Sequence, residues 1–253
     1  SAPRFSVDFC LQLVSLSSRS QSQPEPISVL SLSADNPCVK QICLINSDNV
    51  YTSKGAGPVS FNLALIADIH GNAVALDAVS TDIKLENVDD VLCLGDVVAF
   101  GPEPKRSLDI LRSLDCDVVI GNTDEWVINP PPLKAAKGKF RIRAQQLVWC
   151  ADQLTAEDVD YLRSFKPTVK TDLGHNRTLL GFHGSPKSSS DVIMSTTAVS
   201  EFQEMMSDLD ADIFAGGHTH LSMLRRHRDS LVINPGSVGL PVDRLALEDC
   251  EQI

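Results

Sequence analysis

The stretch "FNLALIADIHGN", Phe61–Asn72, decides how the rest of the chain is read. Its first part is apolar and of strand length, and no apolar run in the protein is longer than "LALIA" (Leu63–Ala67). The apolar character stops abruptly at Asp68, and His70 and Gly71 follow. A buried strand that runs straight into a carboxylate and an imidazole places chemistry at the strand's carboxyl end. "NAVALDAVSTDIKLE" follows, with helical spacing through Val74, Leu76, Val79 and Ile83.

The same sentence is repeated downstream. "VLCLGD" is a strand that ends at Asp96, and "PKRSLDILRSL" is a helix with Pro104 near its start. "DVVIGN" ends at Asn122. "TLLGFHG", "DIFAGGH" and "SLVINPG" are later strands, with the helix "AVSEFQEMMSDL" between the first two of them. Two further helices are expected at "FRIRAQQLVWCADQL" and "TAEDVDYLRSF", the second opened by a capping box of Thr155 and Asp158. Strand–helix alternation with short loops predicts an α/β fold with parallel pairing.

In a parallel sheet all carboxyl ends open on one edge, where α/β proteins build their sites. Asp68, His70, Asp96, Asn122, His183, His218 and His220 are all placed there. Taken singly, each has another reading: Asp68 as a helix cap, Asp96 and Asn122 as turn residues, His183 as a strand-end histidine. Taken together they make a ligand set of imidazole, carboxylate and amide without cysteine, which suits Mn, Fe, Zn or Ni. Seven ligands exceed one tetrahedral shell. Two cations sharing a carboxylate would use them all, roughly 3.5–4 Å apart and close enough to hold a bridging hydroxide. Gly71, Gly95, Gly121, Gly184 and Gly217 each flank a candidate ligand.

In order, "DIH", "GD", "GN", "HG" and "GHTH" resemble the signature of the calcineurin-like metallophosphoesterase superfamily, and "NPGSVG" resembles its smaller bacterial and archaeal phosphodiesterase branch. The resemblance spans about Phe61 to Gly239. It implies two packed mixed β-sheets flanked by helices, in a four-layer sandwich. It also implies a partition: Asp68, His70, Asp96 and His220 around one divalent cation, Asp96, Asn122, His183 and His218 around the other, with Mn the first candidate. The implied activity is hydrolysis of a small phosphorylated substrate, as a phosphodiesterase or phosphatase. Asp96, Asn122 and Asp124 are the catalytic candidates. The superfamily often has a histidine after the GN pair, and here that position is Thr123. General acid catalysis contributes about 10²–10⁴-fold, so esters with poor leaving groups are expected to react slowly. Two alternatives remain: a non-catalytic scaffold like the retromer subunit of this fold, and a dinucleoside polyphosphate hydrolase. An impaired ligand set would favour the scaffold, and all four histidines are present.

Composition narrows the partners. The net charge is −11, which disfavours general nucleic-acid binding. No apolar run reaches membrane-span length. Seven cysteines without a CxxC pair favour a reducing, cytoplasmic setting over a disulfide framework. Residues 1–58 are rich in Ser, Gln and Pro at the start and carry four basic and four acidic residues. They are expected to form a disordered or poorly structured extension, with the catalytic domain over 59–253. The end, "LPVDRLALEDCEQI", lacks the alternation of a closing strand. One basic stretch stands out: "KAAKGKFRIR", Lys134–Arg143, has five basic residues and no acid. Arg141 and Arg143 are candidates to clamp a substrate phosphate.

Overall fold

The structure is a computed structural model; it describes residues 27–32, 42–50, 59–86, 88–130, 132, 137–174, 176–206 and 209–242. The fold is α/β, with two five-stranded mixed sheets and six helices among the described residues. The first sheet orders β1 (Ile27–Leu32), β2 (Ile42–Val50), β3 (Val59–Ile66), β4 (Asp90–Cys93) and β5 (Asp117–Val118) side by side. The second has β6 (Val169–Asp172), β7 (Thr178–Gly181), β8 (Ile213–Ala215), β9 (Met223–His227) and β10 (Ser230–Asn234), in the order β6-β7-β8-β10-β9.

The parallel pairing expected from strand–helix alternation holds for β3-β4-β5 and for β7-β8-β10. The outer strands β1, β2, β6 and β9 pair antiparallel. Antiparallel neighbours need only a short connection, so these strands leave no crossover helix in the sequence to announce them.

Side-chain alternation along β3 builds the layers. Leu63 and Leu65 face one way, into a core shared with Leu179, Ile213 and Ile233 of the second sheet. Ala64 and Ile66 face the other way, against Leu76 and Val79 of α1 (Ala73–Leu85) and Leu108 and Leu111 of α2 (Pro104–Ser113). Beyond the second sheet, Leu180, Phe182 and Phe214 cover Phe202 and Met206 of α6 (Val199–Met206). The result is four layers: helices, sheet, sheet, helix. On α1 the buried face is Ala73, Leu76, Val79 and Ile83, whereas Val74 is 66% exposed, so that one position of the expected stripe is solvent-facing. Between α2 and β6 lie α3 (Asn122–Ile128), α4 (Lys139–Asp152) and α5 (Ala156–Arg163). The Thr155–Asp158 capping box is present: Thr155 Oγ1 accepts from the Asp158 amide and the Asp158 carboxylate accepts from the Thr155 amide.

The expected unstructured extension over 1–58 is corrected at β1 and β2. β2 pairs with β3, and Cys43, Leu44 and Ile45 are buried. Leu44 joins the helix-side core while Cys43 and Ile45 join the inter-sheet core. A strand covered on both faces reads as a continuous apolar run, so the period-2 signal is missing. The remainder of 1–58, and the chain after 242 with its expected lack of a closing strand, lie outside the described residues.

Candidate metal centre

The loops after β3, β4, β5, β7 and β8 converge where the carboxyl edges of the two sheets meet. The expected single sheet edge is therefore two edges joined. Backbone hydrogen bonds extend the β3–β4 ladder into the loops: Asp68 N–H donates to Gly95 O, His70 N–H to Asp96 O and Gly71 N–H to Val97 O. The sheets are tied together at His183, whose Nδ1–H donates to the Leu94 carbonyl at 2.6 Å.

All seven sequence-derived ligand candidates meet here. Asp68, His70, Asp96 and His220 form one group with mutually adjacent ligand atoms, and Asp96, His183 and His218 form a second, with Asp96 common to both. Asn122 Oδ1 lies 3.1 Å from His183 Nε2 and so joins the second group. His70 Nε2 and His220 Nε2 face each other at 3.0 Å, and His220 Nε2 is 3.5 Å from Asp68 Oδ1. Asp68, Asp96, Asn122, His70 and His183 are all buried. Five of the seven, Asp68, His70, Asp96, His218 and His220, adopt positive φ without being glycine. Such strain persists only where the surroundings over-determine it, and it clusters at functional sites.

Glycines permit the convergence in two ways. Gly95 has φ +94°, and any Cβ there would also strike Gly121 N and His183 Nδ1. Gly121 has an ordinary φ of −93°, but a Cβ would lie 2.1 Å from Asp96 Oδ1. Its role is close approach, not backbone conformation.

Four further polar groups hold the ligand loops in place. Asn72, which caps α1, donates to the Gly239 carbonyl. Ser237 Oγ donates to the Asp68 carbonyl, and Gly239 N–H to the same oxygen. Asn234 Nδ2 donates to the Gly217 carbonyl. "NPGSVG" is therefore the strap that pins the "DIH" and "GHTH" loops together. The sequence displays this motif, but its hydrogen-bonding task is visible only in three dimensions.

The electrostatics follow from burying charges together. Burial alone would lower the His183 pKa, yet the carboxylates of Asp96 and Asp68 and the Leu94 carbonyl hold it up at about 10. Burial would raise Asp96, but His183 and His70 outweigh it and keep this carboxyl below the usual range. Burial and the Asp96 charge together raise Asp68 well above its usual value despite the opposing pull of His183 and the His218 amide. His70 is lowered to about 4 by burial, which keeps its imidazole neutral.

The donor set fits divalent cations. His183 and His220 donate from Nδ1 to the carbonyls of Leu94 and Leu240. A carbonyl can only accept, so Nδ1 carries the proton and Nε2 is the atom turned to the ligand groups. This backbone-oriented imidazole is how metal-binding histidines are usually held.

Asp124, a catalytic candidate from the sequence, does not line the cavity beside these groups. It is fully buried, and its carboxylate accepts from the amides of Val97, Val98 and Gly121. It braces the Asp96 loop against the start of α3, and burial and the Asp96 charge raise its pKa to about 7.

The cavity in front of the ligands measures about 400 Å³ and is lined by His70, Asp96, Asn122, Thr123, His218 and His220, with Phe100, Trp126, Arg143, Gln146 and Leu240 as outer wall. Arg143 reaches this wall and Arg141 does not. Residues two apart on a helix point to nearly opposite sides, so the pair cannot clamp one phosphate. Arg143→Ala is therefore expected to raise KM for a phosphorylated substrate about tenfold, the scale of one charge-assisted hydrogen bond, while Arg141→Ala leaves it within twofold. Steady-state kinetics of both variants checks this, and equal effects would overturn it.

The geometry has parallels in known proteins. The profile of the calcineurin-like phosphoesterase superfamily domain matches residues 61–248. An uncharacterized protein of Methanocaldococcus jannaschii, MJ0912, is 27% identical over 200 residues, covering 72% of this chain and 77% of that protein. The crystal structure of a metallophosphoesterase from Sphaerobacter thermophilus is 29% identical, with a TM-score of 0.58, over 72% of this chain and 79% of the other. The hypothetical protein PH1004 from Pyrococcus horikoshii OT3 has a TM-score of 0.61 and 18% identity, over 75% of this chain and 92% of the other.

Proposed function

The chain belongs to the calcineurin-like phosphoesterase superfamily, and from that premise we propose that it hydrolyses phosphate esters at two divalent cations. Asp68, His70, Asp96 and His220 would hold one cation, and Asp96, Asn122, His183 and His218 the other. The observation that carries this reading is Asp96, the carboxylate common to both ligand groups, with His183 Nε2 turned onto it by the Leu94 carbonyl behind the ring, His70 Nε2 also facing it, and His220 Nε2 turned onto Asp68 by the Leu240 carbonyl. When bound, the cations would supply Lewis-acid polarisation of the phosphoryl group and activation of water. Mn is the first choice, with Fe, Zn and Ni compatible with the same donors.

The chain's own residues do the rest. Arg143 supplies positive charge at the cavity wall to a substrate phosphate. The Thr123 amide donates to Asp96 Oδ1 at 2.9 Å, which fixes the shared carboxylate in rotation. The buried ligands keep bulk water away from the back of the centre. Thr123 stands where many relatives place a proton-donating histidine. A hydroxyl is a poor acid, so the leaving oxygen must depart with little help. An aryl phosphodiester is therefore expected to be hydrolysed at least about 10²-fold faster than an alkyl phosphomonoester. Assays of chelated, Mn-reloaded protein on both substrates test this. Equal rates would refute the leaving-group argument, and absence of hydrolysis with every cation would refute the hydrolase reading. The buried free thiols of Cys43, Cys93 and Cys150 agree with a reducing, cytoplasmic setting.

A further inference from the structure

We infer that the cavity selects phosphoesters bearing a flat aromatic ring, which seats on Trp126 at the outer wall while the phosphoryl group faces Asp96 and the histidines. This rests on the hydrolase reading and adds a substrate class to it.

Trp126 lies one helical turn after Asn122 on α3, so both point from the same face toward the cavity. The next residue, Val127, is the one that enters the helix–sheet core. Trp126 belongs to none of the three core clusters and stays 39% exposed. An indole that does not serve the core, at the mouth of a cavity leading to the ligand cluster, is an open platform. Phe100 stands beside His70, with ring centroids 5.6 Å apart, and gives the same cavity a second aromatic wall. This protein is only 5% aromatic and has two tryptophans, so two rings on one small cavity are a local concentration.

The polar groups of the outer wall suit the same ligand. Arg143 and Gln146 are three residues apart on α4 and share a face toward the cavity. One offers a cation to phosphate oxygens and the other an amide to ring heteroatoms. A ring on such a platform gains from area burial and from offset or edge-on contact with the indole.

The test uses the full chain loaded with Mn²⁺ and non-hydrolysable probes: methylphosphonate, 4-nitrophenylphosphonate, and a nucleoside 5′-phosphonate to separate a nucleotide source from a simple aryl one. Ring-bearing probes are expected to compete about tenfold more tightly than methylphosphonate. In the Trp149→Phe background, where Trp126 is the remaining indole, 4-nitrophenylphosphonate should quench fluorescence and methylphosphonate should not. Trp126→Ala should shrink the ring preference to within twofold, and Trp126→Phe should retain most of it. A nucleoside probe favoured over the nitrophenyl one, with the excess lost in Gln146→Ala, assigns the ring to a nucleobase; equal affinity assigns it to aryl esters generally. No ring preference in the wild type, or an unchanged preference in Trp126→Ala, overturns the inference. The fluorescence titration reads binding without catalysis, so failure here is distinguishable from absence of hydrolysis.

Discussion

Asp96→Asn is expected to lower Mn-dependent hydrolysis by at least about 10³-fold, the upper end of what loss of one pre-organised transition-state contact costs. Asp96 is common to both candidate ligand groups, so this single change should weaken both proposed cation positions. Asparagine keeps the shape and the Oδ1 acceptor for the Thr123 amide, and the loop should therefore hold its form. What disappears is the negative charge. Asp96 Oδ2 lies 3.4 Å from His183 Nε2 and 3.6 Å from His70 Nε2, and its charge does much to offset the burial cost at His183. Metal analysis should find fewer divalent cations per chain than in the wild type, two being the content the proposed centre requires, with an unchanged circular dichroism spectrum. Activity within tenfold of wild type, at full metal content, would show that Asp96 is not shared.

The second large effect is on stability. A chelated sample should gain roughly 5–10 °C in Tm when Mn²⁺ is added at about 100 times its Kd, since binding at that ratio contributes about 2.7 kcal/mol. With the Mn²⁺ concentration held at the value that is about 100 times Kd at pH 6, the gain should also grow as pH rises from 6 to 9. His183, raised to about 10, contributes stability that is complete below its unfolded value and is lost as pH climbs toward 10. Asp124, raised to about 7, adds a cost that builds between its unfolded value and pH 7, and Asp68 is raised in the same direction. The chelated protein thus weakens with increasing pH. A cation must displace the His183 proton, so it binds more tightly over the same range. Scanning calorimetry with and without Mn²⁺ across this range is the check. A Tm gain that fell with pH would contradict the assignment of His183 as a ligand.

The Arg141–Arg143 pair marks the limit of reading along the chain. Composition singled out the basic stretch, but only the direction of α4 decides which guanidinium faces the cavity. Asp124 is a similar case. It is two residues from Asn122 and of ligand type, yet the turn of α3 sends it back under the Asp96 loop. Trp126 carried no motif, and its place in the wall comes from helical periodicity acting on the position of Asn122.

The central strands, and the candidate ligands at their ends that the fold brings together, were legible along the chain. Hydrophobic runs of strand length ending in Asp, Asn or His, with glycine alongside, are local signals that survive without coordinates. The tertiary structure alone decided that two sheet edges, not one, meet at the centre, that β2 inserts beside β3, and that "NPGSVG" pins the first ligand loop. Antiparallel edge pairing, loop-to-loop hydrogen bonds and the facing of individual side chains depend on residues brought together from distant parts of the chain. Those contacts leave no period in the sequence, because each partner is chosen by where the backbone passes and not by its neighbours along the chain.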